Sequence, residues 1–404
     1  MSKRKILFIA VILAVTILIL QLSGLIISKF QKETNQVDKD GVYVNKIVDP
    51  SKPVATPKVN AREAAVIDQE SGRIIYAKNP NQEVAMASTT KIMTAIIAIE
   101  RSKLTDNVVI SKNAASTWGS DINLKEGEVL TMRDLLYGLL LKSGNDAAVA
   151  IAEHVGGSVD GFSDLMNRKA ASLGAHNTHF TSPHGLDAKG HYSTAMDLAI
   201  MTRYALGLEI FAKIVSTRTM GIKGRTLNNT NQLLSYYQGA DGVKTGYTGD
   251  AGRCLVASAT RDGRQYIAVT LGAPTNSARA QTCANLLEYA FANYKTYPLF
   301  AKGEAVISLD VLKGKVTKVP IIALNGGISV PVADGESVML ETSLNVPERI
   351  DAPVLKDIEI GSLEVIIGGK QVSSFKLKTG QDSKRKEIKD FIADMFGGWL
   401  KIAS

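Results

Sequence analysis

Three polar clusters in this chain have the residue types and spacing for nucleophilic chemistry. They are Ser88 with Lys91, Ser143 with Asn145, and Lys244 with Thr245 and Gly246. A serine hydroxyl attacks only when a neighbouring base takes its proton. Lys91 stands three residues after Ser88, so on a helix the two share a face. The apolar residues Ile92, Met93, Ala95, Ile96, Ile97 and Ile99 follow, which predicts a buried helix from Ser88 onward. A helix N-terminus adds unpaired N–H groups and the positive end of a dipole. A lysine among apolar side chains has its pKa lowered, because desolvation disfavours the charged form. A neutral Lys91 could then serve as the base.

Spacing alone selects nothing here. Ser-x-x-Lys recurs at Ser2–Lys5, Ser373–Lys376 and Ser383–Lys386, and Ser-x-Asn at Ser111–Asn113 and Ser343–Asn345. Lys-Thr-Gly recurs at Lys378–Gly380. Neighbourhood decides. Only the Ser88 copy opens an apolar helix. Ser143 follows the leucine-rich run Leu135–Leu141, which places it at a helix end. Lys244 precedes the strand-like run Cys254–Ala257, whereas Lys378–Gly380 precedes a charged stretch and reads as a turn.

The ordered set Ser-x-x-Lys, Ser-x-Asn, Lys-Thr-Gly is that of penicillin-binding proteins and serine β-lactamases. With the flanking stretches Ser182–Asp187, His191–Ala195 and Gly272–Thr275, the chain resembles the D-alanyl-D-alanine carboxypeptidases, low-molecular-mass penicillin-binding proteins of the serine peptidase type. The resemblance runs from about Ala61 to the C-terminus and is densest between Ser88 and Arg279. It implies that Ser88 forms an acyl-enzyme at the carbonyl between two terminal D-alanines, with Lys91 as base. Ser143 would pass a proton toward the leaving amine, and Asn145 would hydrogen-bond a substrate peptide group. Lys244 would add positive charge. Thr245 would meet the terminal carboxylate, and Gly246 would let the substrate backbone come close. The implied oxyanion hole uses the N–H groups of Ser88 and Tyr247. Many relatives carry histidine where this chain has Tyr247, so only the backbone role carries over. Arg279 matches the arginine that grips the free carboxylate.

The elements that must position these groups follow from the periodicity. Ala64–Ile67 and Arg73–Tyr76 read as strands joined by the turn Gln69–Gly72. Helical patterns dominate from Ser88 to about Leu208, with capping signals at Thr131/Asp134 and Thr194/Asp197. Strands return at Arg253–Thr260 and Arg264–Leu271, joined through Asp262-Gly263, and a helix spans Asn276–Asn293. Strands at both ends of a helical middle predict an α/β (α+β) catalytic domain over 61–296, one antiparallel sheet covered by helices. By resemblance it is of the β-lactamase/transpeptidase type. Period-two spacing, as at Ile328, Val330 and Val332, with glycine-rich turns, predicts a small all-β sandwich over 297–382.

The two ends point to a membrane. Lys3, Arg4 and Lys5 precede a nearly unbroken apolar run from Ile6 to Ser28. This is a signal peptide or an uncleaved signal-anchor, and the leading charges keep the N-terminus in the cytoplasm while the remainder is exported. Residues 29–60 are polar and proline-bearing, and read as a linker. Over 383–404, Ile388, Phe391, Ile392, Met395, Phe396, Trp399 and Leu400 fall on one helical face beside several lysines, the pattern of an amphipathic membrane-anchoring helix. The net charge of +8 over 404 residues is modest. Its clearest clusters flank apolar segments, which suits an anionic membrane surface and not nucleic acid.

Other chemistry is not supported. The five histidines make no His-Glu-x-x-His pair, which argues against a metal site, and no cofactor-binding loop is present. No Gly-x-Ser-x-Gly elbow occurs. Cys254 lies in a strand pattern and Cys283 in a helix pattern, which reads as buried thiols, with a disulfide left open. Three functions fit: a D,D-carboxypeptidase acting on peptidoglycan stem peptides and acylated by β-lactams, a serine β-lactamase, and a non-catalytic sensor that binds either ligand. The Glu-x-x-Leu-Asn stretch that carries the deacylating base in one large β-lactamase group is absent between Ser143 and Lys244.

The tail yields a test. A form running from Ala61 to Ser404 is expected to bind anionic vesicles, and more weakly as salt rises. Ending the chain near Asp382 should remove most of that binding in a vesicle sedimentation assay and leave hydrolysis of a small peptide intact. Equal binding by both forms would show that the helix packs on protein instead.

Overall fold

The computed structural model describes residues 43–47, 56–333 and 338–391. The expected N-terminal segment 1–28 lies outside them, as does the expected C-terminal helix beyond residue 391; of its described part, 383–391, only 388–391 are helical, and Ser383 and Arg385 make β-bridges instead. The described chain divides into two compact units. One holds 56–299 with 328–333; the other holds 43–47, 300–327 and 338–391.

The larger unit is built on a five-stranded antiparallel sheet. Its order is Ile74–Lys78, Glu63–Asp68, Arg264–Ala273, Gly252–Arg261, Ala240–Thr248. Every residue of Glu63–Asp68 is buried, so this strand is covered on both faces. Alternation sorts its side chains between two cores. Ala65 and Ile67 join Val256, Ile267, Val269 and Leu271 against the helical region. Ala64 and Val66 join Leu255, Ala257, Tyr266 and Ala268 against Ala280, Cys283, Leu286, Leu287 and Ala290 of the helix Asn276–Asn293. This is the period-two rule with apolar residues on both faces. Asp262 and Gly263 both have positive φ, +49° and +76°, the pair that a tight hairpin needs. Cys254 and Cys283 are buried free thiols.

The helical region supplies the other wall. Its core element is Lys91–Arg101, in which Lys91 through Ala98 are all buried. Thr131 and Thr194 cap their helices by accepting from the Asp134 and Asp197 N–H groups, at 3.2 and 3.0 Å. The predicted helix from Ser88 differs in its first turn. Ala87–Thr90 form a 3-10 turn, and α-helix begins at Lys91. Ala87 has φ of +49°, so the chain enters from a direction that a continuous α-helix does not allow.

The smaller unit is all-β. Its seven-stranded sheet runs Tyr43–Ile47, Val338–Asn345, Glu359–Ile367, Lys370–Thr379, Lys318–Ala323, Ala305–Leu312, Arg349–Asp351. Tyr43–Ile47, within the expected linker, is its edge strand, paired antiparallel with Val338–Asn345. The second Lys-Thr-Gly closes a strand instead of forming a turn. Ser373, Phe375, Leu377 and Thr379 are buried in strict alternation, so the strand pattern runs through it. Ile328–Ala333 pairs with Tyr294–Phe300 and groups with the larger unit. The expected boundary at 296/297 thus falls inside a strand. At the other end, Lys386 N–H donates to the Lys313 carbonyl at 2.7 Å, holding the chain to the all-β sheet past residue 382. Beyond it, Ile388 is 80% and Phe391 44% exposed.

Candidate active site

Ser88 sits in the 3-10 turn, half-buried, between the sheet and the helical wall. Lys91 begins the next helix and is fully buried. Its Nζ lies 2.9 Å from Ser88 Oγ, 2.7 Å from Asn145 Oδ1 and 2.8 Å from the His184 carbonyl oxygen. Two of those partners can only accept. The His184 oxygen is a carbonyl. Asn145 is fixed in orientation because its Nδ2 donates to the Trp118 carbonyl at 2.8 Å, which turns Oδ1 toward Lys91. A neutral amine has two N–H bonds and one lone pair. In the neutral form the N–H bonds would go to Asn145 and His184 and the lone pair would face the Ser88 hydroxyl, whereas an ammonium would donate to all three oxygens. Burial, and then the nearby Lys244 charge, push the Lys91 pKa well below its ordinary value of 10.5; Asp146 opposes this more weakly.

Asn145 is held by the chain on both sides. Ser143 stands in the left-handed region, φ +68°, directly after the π-helical stretch Gly138–Lys142, and ends that helix. Helix Asn145–Gly156 then starts with Asp146, whose carboxylate accepts from the N–H groups of Ile122, Leu124 and Ala147. The loop carrying Trp118, Gly119 and Ser120 crosses Asn145 closely. The Asn145 N–H donates to the Ser120 carbonyl at 2.6 Å. Gly119 has φ of +100°, and a Cβ there would stand 2.6 Å from Asn145 Nδ2.

Lys244, Thr245, Gly246 and Tyr247 lie on Ala240–Thr248, the strand at the end of the sheet order. Lys244 is buried and donates to the Thr245 carbonyl at 2.8 Å. Burial and the Arg279 charge lower its pKa to about 7. Thr245 Oγ1 lies 2.6 Å from Thr230 Oγ1. Gly246 faces the Ser88 turn: a Cβ there would stand 3.0 Å from the Ser88 nitrogen. Arg279, on the Asn276–Asn293 helix, donates to the Gly246 carbonyl at 3.1 Å and is partly buried. The Tyr247 side chain is 55% exposed, with the Arg253 guanidinium 3.5 Å over its ring. The nine residues singled out by sequence lie on the Ser88 turn and the helix that follows it, at the junction of Gly138–Lys142 with helix Asn145–Gly156, on the end strand, and on the helix bonded to it. The decoys do not. Ser111 caps the short helix Lys112–Ala115, and Lys378–Gly380 belongs to the all-β unit.

Several participants carry no role in the sequence reading. The stretch Ser182–Asp187 contributes a backbone oxygen to Lys91, and Thr94 Oγ1 donates to the Pro183 carbonyl at 2.6 Å. A main-chain contribution has no residue-type signature. The only available signal was the resemblance of the stretch itself. Gly185, with φ of +86°, packs so closely that a Cβ would stand 2.0 Å from the Ala87 oxygen.

An antiparallel sheet with a helical wall, and a serine bonded to a buried lysine between them, define a serine-type hydrolase. A family profile described as D-alanyl-D-alanine carboxypeptidase matches residues 50–275, and one described as penicillin-binding protein 5, C-terminal domain, matches 294–385. The D-alanyl-D-alanine carboxypeptidase DacF of Bacillus subtilis is 37% identical over 352 residues, covering 84% of this chain and 90% of its own. Penicillin-binding protein 5 of Haemophilus influenzae, a solved structure, superposes with a TM-score of 0.66 at 31% identity, covering 82% of this chain and 100% of its own. The Streptomyces K15 DD-transpeptidase superposes with a TM-score of 0.57 at 35% identity, covering 59% of this chain and 100% of its own. The chain belongs to the D-alanyl-D-alanine carboxypeptidase family.

The close packing at Gly185 gives a stability prediction. Gly185→Ala adds a left-handed-region penalty and an overlap with a backbone oxygen, together about 2–4 kcal/mol. Thermal unfolding should show the loss, and the fraction of sites that titrate with penicillin should fall with it. A variant as stable as the unaltered protein would mean that the contact with Ala87 is slack.

Proposed function

We propose that Ser88 attacks the carbonyl between the two terminal D-alanines of a peptidoglycan stem pentapeptide, releasing D-alanine and leaving a peptidyl ester that water then cleaves. The observation that carries this reading is the buried Lys91 Nζ, 2.9 Å from Ser88 Oγ, with Asn145 Oδ1 and the His184 carbonyl accepting from it. In the forward step Lys91 takes the hydroxyl proton as the Ser88 oxygen bonds to carbon. Ser143, beside Asn145, relays a proton to the departing amine. The backbone N–H groups of Ser88 and Tyr247 receive the oxyanion, and the proximity of Gly246 to the Ser88 nitrogen supports that pairing. The substrate lies along Ala240–Thr248, whose outer edge has no sheet partner among the described residues and so offers backbone groups to an extended peptide. Asn145 holds a substrate amide. Lys244, Thr245 and Arg279 form a cationic and hydroxyl-bearing end for the free carboxylate.

A β-lactam carries a strained amide and a carboxylate in the same relation, so it is taken at Ser88 as a covalent inhibitor. The enzyme works on the outer face of the cell membrane. Support for this is the leading apolar segment and the basic amphipathic tail of the sequence.

A labelled penicillin should attach to Ser88 alone, and D-alanine should appear from a pentapeptide mimic with slow penicillin turnover. Ser88→Ala should abolish both labelling and D-alanine release with an unchanged melting temperature. Labelling that persists in that variant would remove Ser88 from the mechanism. Fast penicillin turnover by the unaltered enzyme would favour a β-lactamase, and binding without release a sensor.

A further inference from the structure

Ala87, the residue before the nucleophile, holds a left-handed conformation with φ of +49°, which a residue with a Cβ rarely adopts. Something must hold it there. Its carbonyl accepts from Thr90 Oγ1 at 2.8 Å. Thr90 Oγ1 in turn lies 2.9 Å from His191 Nε2. On the far side of the ring, His191 Nδ1 accepts from the Thr181 N–H at 3.0 Å, with the Thr181 hydroxyl 3.3 Å away.

These contacts fix every proton in the chain. A backbone N–H can only donate, so Nδ1 is the acceptor and the neutral ring carries its proton on Nε2. The Nε2–H donates to Thr90 Oγ1, and the single hydroxyl hydrogen of Thr90 is left for the Ala87 carbonyl. Both side chains are buried, so no water competes for these bonds. Phe180 packs edge-on against the ring, at 6.0 Å between centroids. Burial holds the His191 pKa near 4, which keeps this proton pattern at neutral pH.

We propose that His191 is a positioning residue for the nucleophile: through Thr90 and the Ala87 carbonyl it locks the turn that aims Ser88 Oγ at Lys91. It touches none of the reacting atoms. The proposal rests on the reading of Ser88 as nucleophile. Removing the lock should leave the fold in place, since helix Lys91–Arg101 is held by its own apolar side chains. The turn alone would lose its aim.

The test measures the rate of labelling of the full-length protein by penicillin, with the titratable fraction and melting temperature of each variant. His191→Phe and Thr90→Val should each slow labelling about ten- to a hundredfold, the scale of a misplaced reacting group. Titratable fraction and melting temperature should stay near those of the unaltered protein. The double variant should be no slower than the slower single one, because both cut one chain. His191→Gln, whose amide N–H reaches toward Thr90, should recover most of the rate. Losses that multiply in the double variant would overturn the proposal, as would unchanged rates or a loss explained entirely by unfolded protein. Failure of the unaltered protein to label at Ser88 would instead sink the functional reading beneath it.

Discussion

The structure turns on one constraint: a lysine buried between two groups that can only accept hydrogen bonds. Asn145 Oδ1 and the His184 carbonyl both point at Lys91 Nζ, at 2.7 and 2.8 Å. Charged, Lys91 would sit fully desolvated with no carboxylate partner, an expensive arrangement. Neutral, it satisfies both acceptors and still has a lone pair for Ser88. Burial and the Lys244 charge act in the same direction. On the proposed reading the base is prepared by what surrounds it, before any substrate arrives.

That arrangement draws in distant parts of the chain. Asn145 is turned by a loop carbonyl at Trp118, His184 is set by the stretch that packs on helix Lys91–Arg101, and Lys244 is brought by the end strand of the sheet. Small residues allow the approach. Gly119 lies against the Asn145 amide, Gly185 against the Ala87 oxygen, and Gly246 against the Ser88 nitrogen. At each a methyl group would meet the very atoms that make the site. The sheet gives the site its rigidity, because its central strand is packed on both faces and cannot shift without opening two cores.

Much of this was legible in the sequence. Ser88, Lys91, Ser143, Asn145, Lys244, Thr245 and Gly246 could be named because they form an ordered pattern of types and spacings, and Tyr247 and Arg279 because the family resemblance points to them. The helix Asn276–Asn293 and the Asp262-Gly263 hairpin could be placed to the residue, since caps and positive-φ turns have strong local signals. What was not legible is long-range or main-chain. The His184 carbonyl, the pairing of Tyr43–Ile47 with a strand nearly three hundred residues away, and the grouping of Ile328–Ala333 with the larger unit all depend on tertiary contact. The left-handed Ala87 was also hidden, because alanine there contradicts local preference and is imposed by its neighbours.

The central claim is that Lys91 is neutral when it meets Ser88. Its most direct test is the pH dependence of single-turnover acylation by a labelled penicillin, from about pH 5 to the ordinary lysine range. Lys244 shares the field of Lys91, so the two titrate together. The profile is therefore read in Lys244→Arg, where the second charge is fixed. A base must lose its proton before it can act, so the rate should rise with pH through the lowered pKa of Lys91 and level off far below 10.5. A rate that stays low and climbs only toward 10.5 would make Lys91 a charged hydrogen-bond donor, and the base would have to be sought elsewhere.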